Sequence, residues 1–147
     1  MVTNRYLEEK DIPLLTESLK NDEFHQGTTA EFFQEKDTVC SVYEDEEGPV
    51  LFLRGQVIDY YNHLKIIRLD IQYLNNKDAK RNMRVMLEGF PELELKAKEN
   101  GFQGFFFISN VPLLRKFCVK RLGFQEMNDD VLYKIIDEDV NAYLHKN

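Results

Sequence analysis

Tryptophan is absent from this chain, and Cys40 and Cys118 are the only cysteines among its 147 residues. They lie far apart and show no CxxC spacing, which excludes a cysteine zinc site and a disulfide framework; no bound metal is expected. No apolar run reaches the length of a membrane span, so no membrane partner is expected. Basic residues are the minority, 19 against 26 acidic ones, for a net charge of −7. General nucleic-acid binding needs a basic footprint and is excluded on that ground. The stretch Met1 to Asp11 is polar and charged, unlike a signal peptide, and a reducing cytoplasm is the expected compartment. Walker, HExxH and Rossmann patterns are missing, and no Ser, His and Asp share an informative spacing. No linker, internal repeat or low-complexity stretch interrupts the chain, whose length suits one domain over residues 1–147.

What is present is aromatic and unevenly charged. Eleven Phe and seven Tyr, within 43% hydrophobic residues, point to a packed interior rather than disorder. Residues 1–62 hold 14 acidic and 5 basic side chains, whereas residues 63–84 hold 2 and 6. A short basic island in an acidic protein suggests a local anion site. The acidic half suits a cationic partner such as a small-molecule or peptide amine.

Periodicity and punctuation predict the elements. Arg5-Tyr6-Leu7 reads as an edge strand. Asp11-Ile12-Pro13 opens a helix, with Asp11 as its cap and Leu14, Leu15 and Leu19 recurring to Asn21. A second helix is predicted from Thr29 to Lys36, with Phe32 and Phe33 inward. Thr38–Tyr43 and Pro49–Arg54, the latter extending toward Ile58, form a hairpin around an acidic turn. Leu64 to Leu74 is the strongest strand. A helix follows from Ala79 to Glu99, with Met83, Met86, Leu87, Phe90, Leu93 and Ala97 on its apolar stripe, an expected kink or brief restart at Pro91 and a Gly101 cap. Gly104 to Ser109 is a strand buried on both faces, Val111 to Leu122 a helix, and Phe124–Met127 with Val131–Ile136 a last hairpin. The tail after Asp137 is short helix or frayed chain. Helical crossovers imply parallel pairing and hairpins antiparallel pairing, which gives an α/β chain with a mixed, α+β-type sheet flanked by helices.

That order resembles the GNAT superfamily of N-acetyltransferases over nearly the whole chain. The motif-level likeness is Gly104 to Phe124, GFFFISNVPLLRKFCVKRLGF. The family's fifth strand ends in a polar residue, often Asn, followed by a helix closing on Gly-Phe; here those are Asn110 and Gly123-Phe124. The resemblance implies acetyl-CoA as cofactor and direct attack of a primary amine on the thioester, without an enzyme nucleophile. It implies pantetheine contacts from the backbone near Leu69, Ile71 and Tyr73 and from Asn110. Two departures stand out. The family's pyrophosphate loop, Q/R-x-x-G-x-G/A, falls on Lys77 to Asn82, with Lys77 in the first slot and Lys80 and Asn82 in the small-residue slots. The family's helix Tyr, which protonates the leaving thiolate, is replaced by Phe117-Cys118-Val119. A GNAT-like binding or assembly protein without catalysis is therefore the alternative, and an open sheet edge would allow a homodimer.

The candidate site residues each carry a second, plainer reading. Lys77, Lys80, Arg81 and Arg84 sit where cations oppose a helix dipole unless an anion is bound, with Asp78 as the cap; alternatively they are a solvated face paired with carboxylates. Asn110 is placed to cap the helix that follows it. Asp70 is the candidate catalytic base, taking an amine proton through water; the alternative is an ion pair with Arg68 or with another strand. His63 can titrate near neutrality, and Asp59, Tyr60 and Tyr61 are candidates for a substrate mouth or for ordinary surface. Cys118 is either a proton donor or a small core residue.

Overall fold

A computed structural model describes residues 1–60 and 64–144. Tyr61 and His63 lie outside the described residues, as do the side chains of Asp59 and Tyr60. The elements are β1 (Thr3–Tyr6), α1 (Ile12–Lys20), β2 (Thr38–Asp45), β3 (Gly48–Tyr60), β4 (Leu64–Tyr73), α2 (Ala79–Glu99), β5 (Gly104–Ile108), α3 (Pro112–Arg121), β6 (Gln125–Glu126), β7 (Val131–Ile135) and α4 (Glu138–Leu144). The seven strands form a mixed sheet in the order β1-β2-β3-β4-β5-β7-β6. β4 and β5 run parallel, paired from Ile66↔Gly104 to Arg68↔Phe106. The pairs β1–β2, β2–β3, β5–β7 and β6–β7 are antiparallel. Among the described residues no helix is long and apolar enough to cross a membrane.

The chain groups into two compact units, with boundaries inside β3, β4 and α2. One comprises Met1–Gln56 and Asp70–Gly89, the other Val57–Leu69 and Phe90–Asn147.

In the first unit, Leu15 and Leu19 lie one helical turn apart on α1 and pack with Phe33, Cys40, Val42 and Phe52. Gly89 of α2 admits the Tyr43 ring, since a Cβ there would stand 2.6 Å from it. Asp11 does not cap α1 through its side chain. It instead accepts Arg5 through both oxygens, at 2.7 and 2.8 Å, and the Glu8 amide at 2.8 Å. The segment Thr29–Lys36 is not a helix either; it forms one 3-10 turn, Phe32–Gln34. Eight residues are too few to repay helix nucleation without an apolar stripe. The chain then leaves through extended Glu35 and through Asp37, whose φ is 63°.

The second unit is built around phenylalanine. Phe90, Phe105, Phe107 and Phe124 meet in tilted and edge-on pairs with centroids 5.2 to 5.6 Å apart. Each such pair adds about 0.5–1.5 kcal/mol beyond its buried area. α2 continues through Pro91 without a break; Pro91 is exposed, where water can serve the carbonyl it leaves unbonded. The helix ends as predicted at Gly101, with φ 82°. Phe102 N–H donates to Ala97 O at 3.0 Å and Gly101 N–H to Lys98 O at 3.1 Å, the two bonds of a Schellman ending.

Candidate functional site

The turn between β4 and α2 is organised by Asn75. Its side-chain oxygen accepts the Lys77 amide at 3.0 Å, and its carbonyl accepts the Asp78 amide at 3.2 Å. The same carbonyl accepts Nδ2 of Asn82 at 2.9 Å, so the Asn82 side chain is folded inward and buried. Asp78 caps α2 as expected: its Oδ1 accepts the Arg81 amide at 3.3 Å and its carbonyl accepts the Asn82 amide at 3.0 Å. Among the described residues no acceptor stands on the amides of Ala79 and Lys80. These are first-turn helix amides, the groups that bind anions at helix N-termini. Lys77 and Lys80 are exposed beside them.

Arg81 and Arg84 are engaged elsewhere. Arg81 donates Nε and Nη2 to the two oxygens of Asp45, both at 2.7 Å, and Arg84 donates Nη2 to Asp45 at 2.8 Å. The Glu47 amide adds a bond at 2.9 Å. The Asp45 side chain is fully buried. The Arg81 guanidinium holds it well below the usual carboxylate range, outweighing burial, and the Glu47 amide and Arg84 push the same way. Of the four cations around the start of α2, Lys77 and Lys80 are exposed, and Arg81 and Arg84 fasten α2 to the β2–β3 hairpin. The acidic turn of that hairpin is therefore more than a solvated charge run.

Asp70 stands on a second constellation, which the sequence reading missed. Arg54 of β3 is 1% exposed. It donates Nη1 to Asp70 at 3.0 Å, Nη2 to Glu35 at 2.8 Å and Nε to the Phe32 carbonyl at 2.8 Å. Its guanidinium lies 3.9 Å from the centroid of the Phe32 ring, a cation–π contact. Arg54 lies at period two from Val50 and Phe52, but Leu51 and Leu53 on the other face of β3 are buried too, so alternation offered no signal. Asp70 thus has the ion-pair partner from another strand that its plainer reading anticipated. Leu69 is buried, and Ile71 and Tyr73 are half-buried.

In the second unit, Asn110 is exposed and does not cap α3. Val111 occupies the cap position, and its amide donates to Oγ of Ser109 at 3.2 Å. Arg115 secures the same corner, donating to the Ser109 carbonyl at 2.7 Å and the Asn128 carbonyl at 2.8 Å. Cys118 is 1% exposed, and burial pushes its thiol up to about 12. Phe117 beside it is also buried. No proton donor for a thiolate is found at that turn of α3.

By sequence the chain matches no protein-family model and no curated protein. By structure it is similar to many solved acetyltransferases. One is an acetyltransferase of the GNAT family from Staphylococcus aureus, with a TM-score of 0.67 and 10% identity, covering 93% of this chain and 100% of that one. Another is the ribosomal-protein-S18-alanine N-acetyltransferase of Escherichia coli, with a TM-score of 0.68 and 16% identity over 93% and 95%. A third is an aminoglycoside acetyltransferase in complex with coenzyme A and kanamycin, with a TM-score of 0.66 and 13% identity over the full length of both chains. The chain has the GNAT fold. Within that fold the turn Asn75–Asn82 follows the fourth strand, where the resemblance puts the pyrophosphate loop. Its two departures from glycine differ in kind: the Asn82 side chain is turned into the protein, while that of Lys80 is exposed.

Proposed function

We propose that the chain is an acyl-CoA-dependent N-acyltransferase, moving an acetyl group from acetyl-CoA to a primary amine by direct attack. The observation that carries this reading is the turn at the start of α2. Two helix-starting amides there have no protein acceptor, and Lys77 and Lys80 flank them, a set of donors suited to a pyrophosphate. Asn82 takes its side chain out of the way by bonding inward, so the absence of glycine in that slot does not close the turn. β4 runs on to Tyr73, and its backbone near Ile71 and Tyr73 is the proposed contact for the amides of a pantetheine arm. The acceptor class is a cationic amine, drawn by the acid-rich residues 1–62.

Isothermal titration with acetyl-CoA tests the reading. The double variant Lys77→Glu, Lys80→Glu should bind at least about tenfold more weakly than wild type, since a single charge-assisted contact contributes roughly 1.5–3 kcal/mol. Equal affinity, or no binding by wild type at millimolar ligand, would remove it. A second reading, a GNAT-fold binding protein without catalysis, is favoured by α3, where Phe117 and Cys118 are buried and offer no proton. Measurable amine-dependent thioester consumption would count against it.

A further inference from the structure

His25 ends the 3-10 turn Glu23–His25 that follows α1, and its side chain is 35% exposed. Its Nδ1 faces two oxygens: Oε1 of Gln72 on β4, and Oδ2 of Asp22 at 3.2 Å. Gln72 is fully buried, and its orientation is fixed from the other end. Nε2 donates to the Tyr73 carbonyl at 3.0 Å, and a carbonyl can only accept, so the oxygen must be the atom turned to the ring. Asp22 is 3% exposed, and its Oδ1 accepts the Phe24 amide at 2.9 Å. Both atoms facing Nδ1 are therefore acceptors. The ring proton belongs on Nδ1, and the lone pair of the neutral imidazole belongs on Nε2. A buried carboxylate that fixes the tautomer and orientation of a partly exposed histidine is how a histidine is prepared to take a proton.

The strand position carries the argument further. Gln72 lies between Ile71 and Tyr73, the backbone proposed above to hold the thioester arm, and its partner carbonyl is that of Tyr73 itself. We propose that His25 is the proton acceptor of the acyl transfer, with Asp22 and Gln72 as positioning residues. This rests on the acyltransferase reading. Nε2 takes one proton from the substrate ammonium. The freed amine attacks the thioester carbonyl carbon, a C–N bond forms, and the C–S bond breaks with its electron pair leaving on sulfur. The coenzyme A thiolate collects the second proton shed by nitrogen, and His25 returns the first to water. Asp22 Oδ2, 3.2 Å from Nδ1, keeps a carboxylate facing the ring in the first step.

The experiment uses the full chain in three arms. Calorimetry with acetyl-CoA should give one affinity for wild type and His25→Gln, because His25 is no part of the phosphate turn. Turnover of spermidine, kanamycin and a lysyl peptide should fall about 10²–10⁴-fold in kcat/KM in His25→Gln. Imidazole ¹⁵N NMR, assigned by His25→Gln among the three histidines, should show the Nδ1–H tautomer in wild type and a mixture in Asp22→Asn. Wild type failing to bind acetyl-CoA would sink the acyltransferase reading itself. Binding intact, with turnover of His25→Gln within twofold of wild type or an Nε2–H tautomer, would overturn the His25 proposal alone.

Discussion

At Asp45 one buried carboxylate serves two guanidinium groups from the first turns of a helix, and the consequence is a dependence on pH. Its folded-state pKa is depressed, chiefly by Arg81. The stability it contributes is therefore complete above the unfolded value of about 4 and is lost as pH falls through that value toward the folded one. Asp45→Asn should cost about 1.5–3 kcal/mol at neutral pH, the scale of charged hydrogen bonds, and should flatten the decline of stability between about pH 5 and 2. Urea denaturation of both proteins at pH 7 and pH 3 checks this; parallel losses at both pH values would contradict it. Little of this pairing was legible in the sequence. Arg81 and Arg84 were visible as part of a basic island, but which carboxylate they meet depends on where a hairpin end falls against a helix. Cys118 was a proton donor or a core residue on sequence alone, and its burial settles it as core.

Between residue and molecule, the decisive element is the segment that joins α1 to β2. Its predicted helix, Thr29 to Lys36, gives way to the single 3-10 turn Phe32–Gln34. The segment is held instead by Arg54, whose three donor groups reach the Phe32 carbonyl, Glu35 and Asp70. Removing a partner from that buried guanidinium should be costly in proportion to the burial of what is removed. Asp70→Ala, from a side chain 18% exposed, should lose about 3 kcal/mol; Glu35→Ala, 53% exposed, should lose about 1 kcal/mol or less. Chemical denaturation distinguishes the two, and equal losses would mean that Arg54 relaxes to water when unpaired. The strands and the long helix were legible because alternation and a continuous stripe are local signals. β2, β4, α2 and β5 fall within two residues of their predicted bounds. The Arg54 network was not legible because its members come from β3, β4 and a turn, and only the fold brings them together.

For the whole molecule, a mixed seven-stranded sheet carries the GNAT order of elements without the family's glycine pattern in the turn Asn75–Asn82. The fold could be read ahead of the structure because it depends on apolar periodicity and on Gly101 and Gly123, both of which have the positive φ their positions require. The candidate site could be read only in outline, because the proposed replacement of glycine amides by two open helix-starting N–H groups depends on where the Asn82 side chain turns. The central claim is that the amides of Ala79 and Lys80 remain such a site. Amide ¹H–¹⁵N NMR during a titration with coenzyme A tests it most directly. The account predicts the largest shift changes at Ala79 and Lys80, with Asn82 and Arg81 moving less because their amides are already bonded to Asp78. Saturable binding that leaves Ala79 and Lys80 unmoved would contradict it.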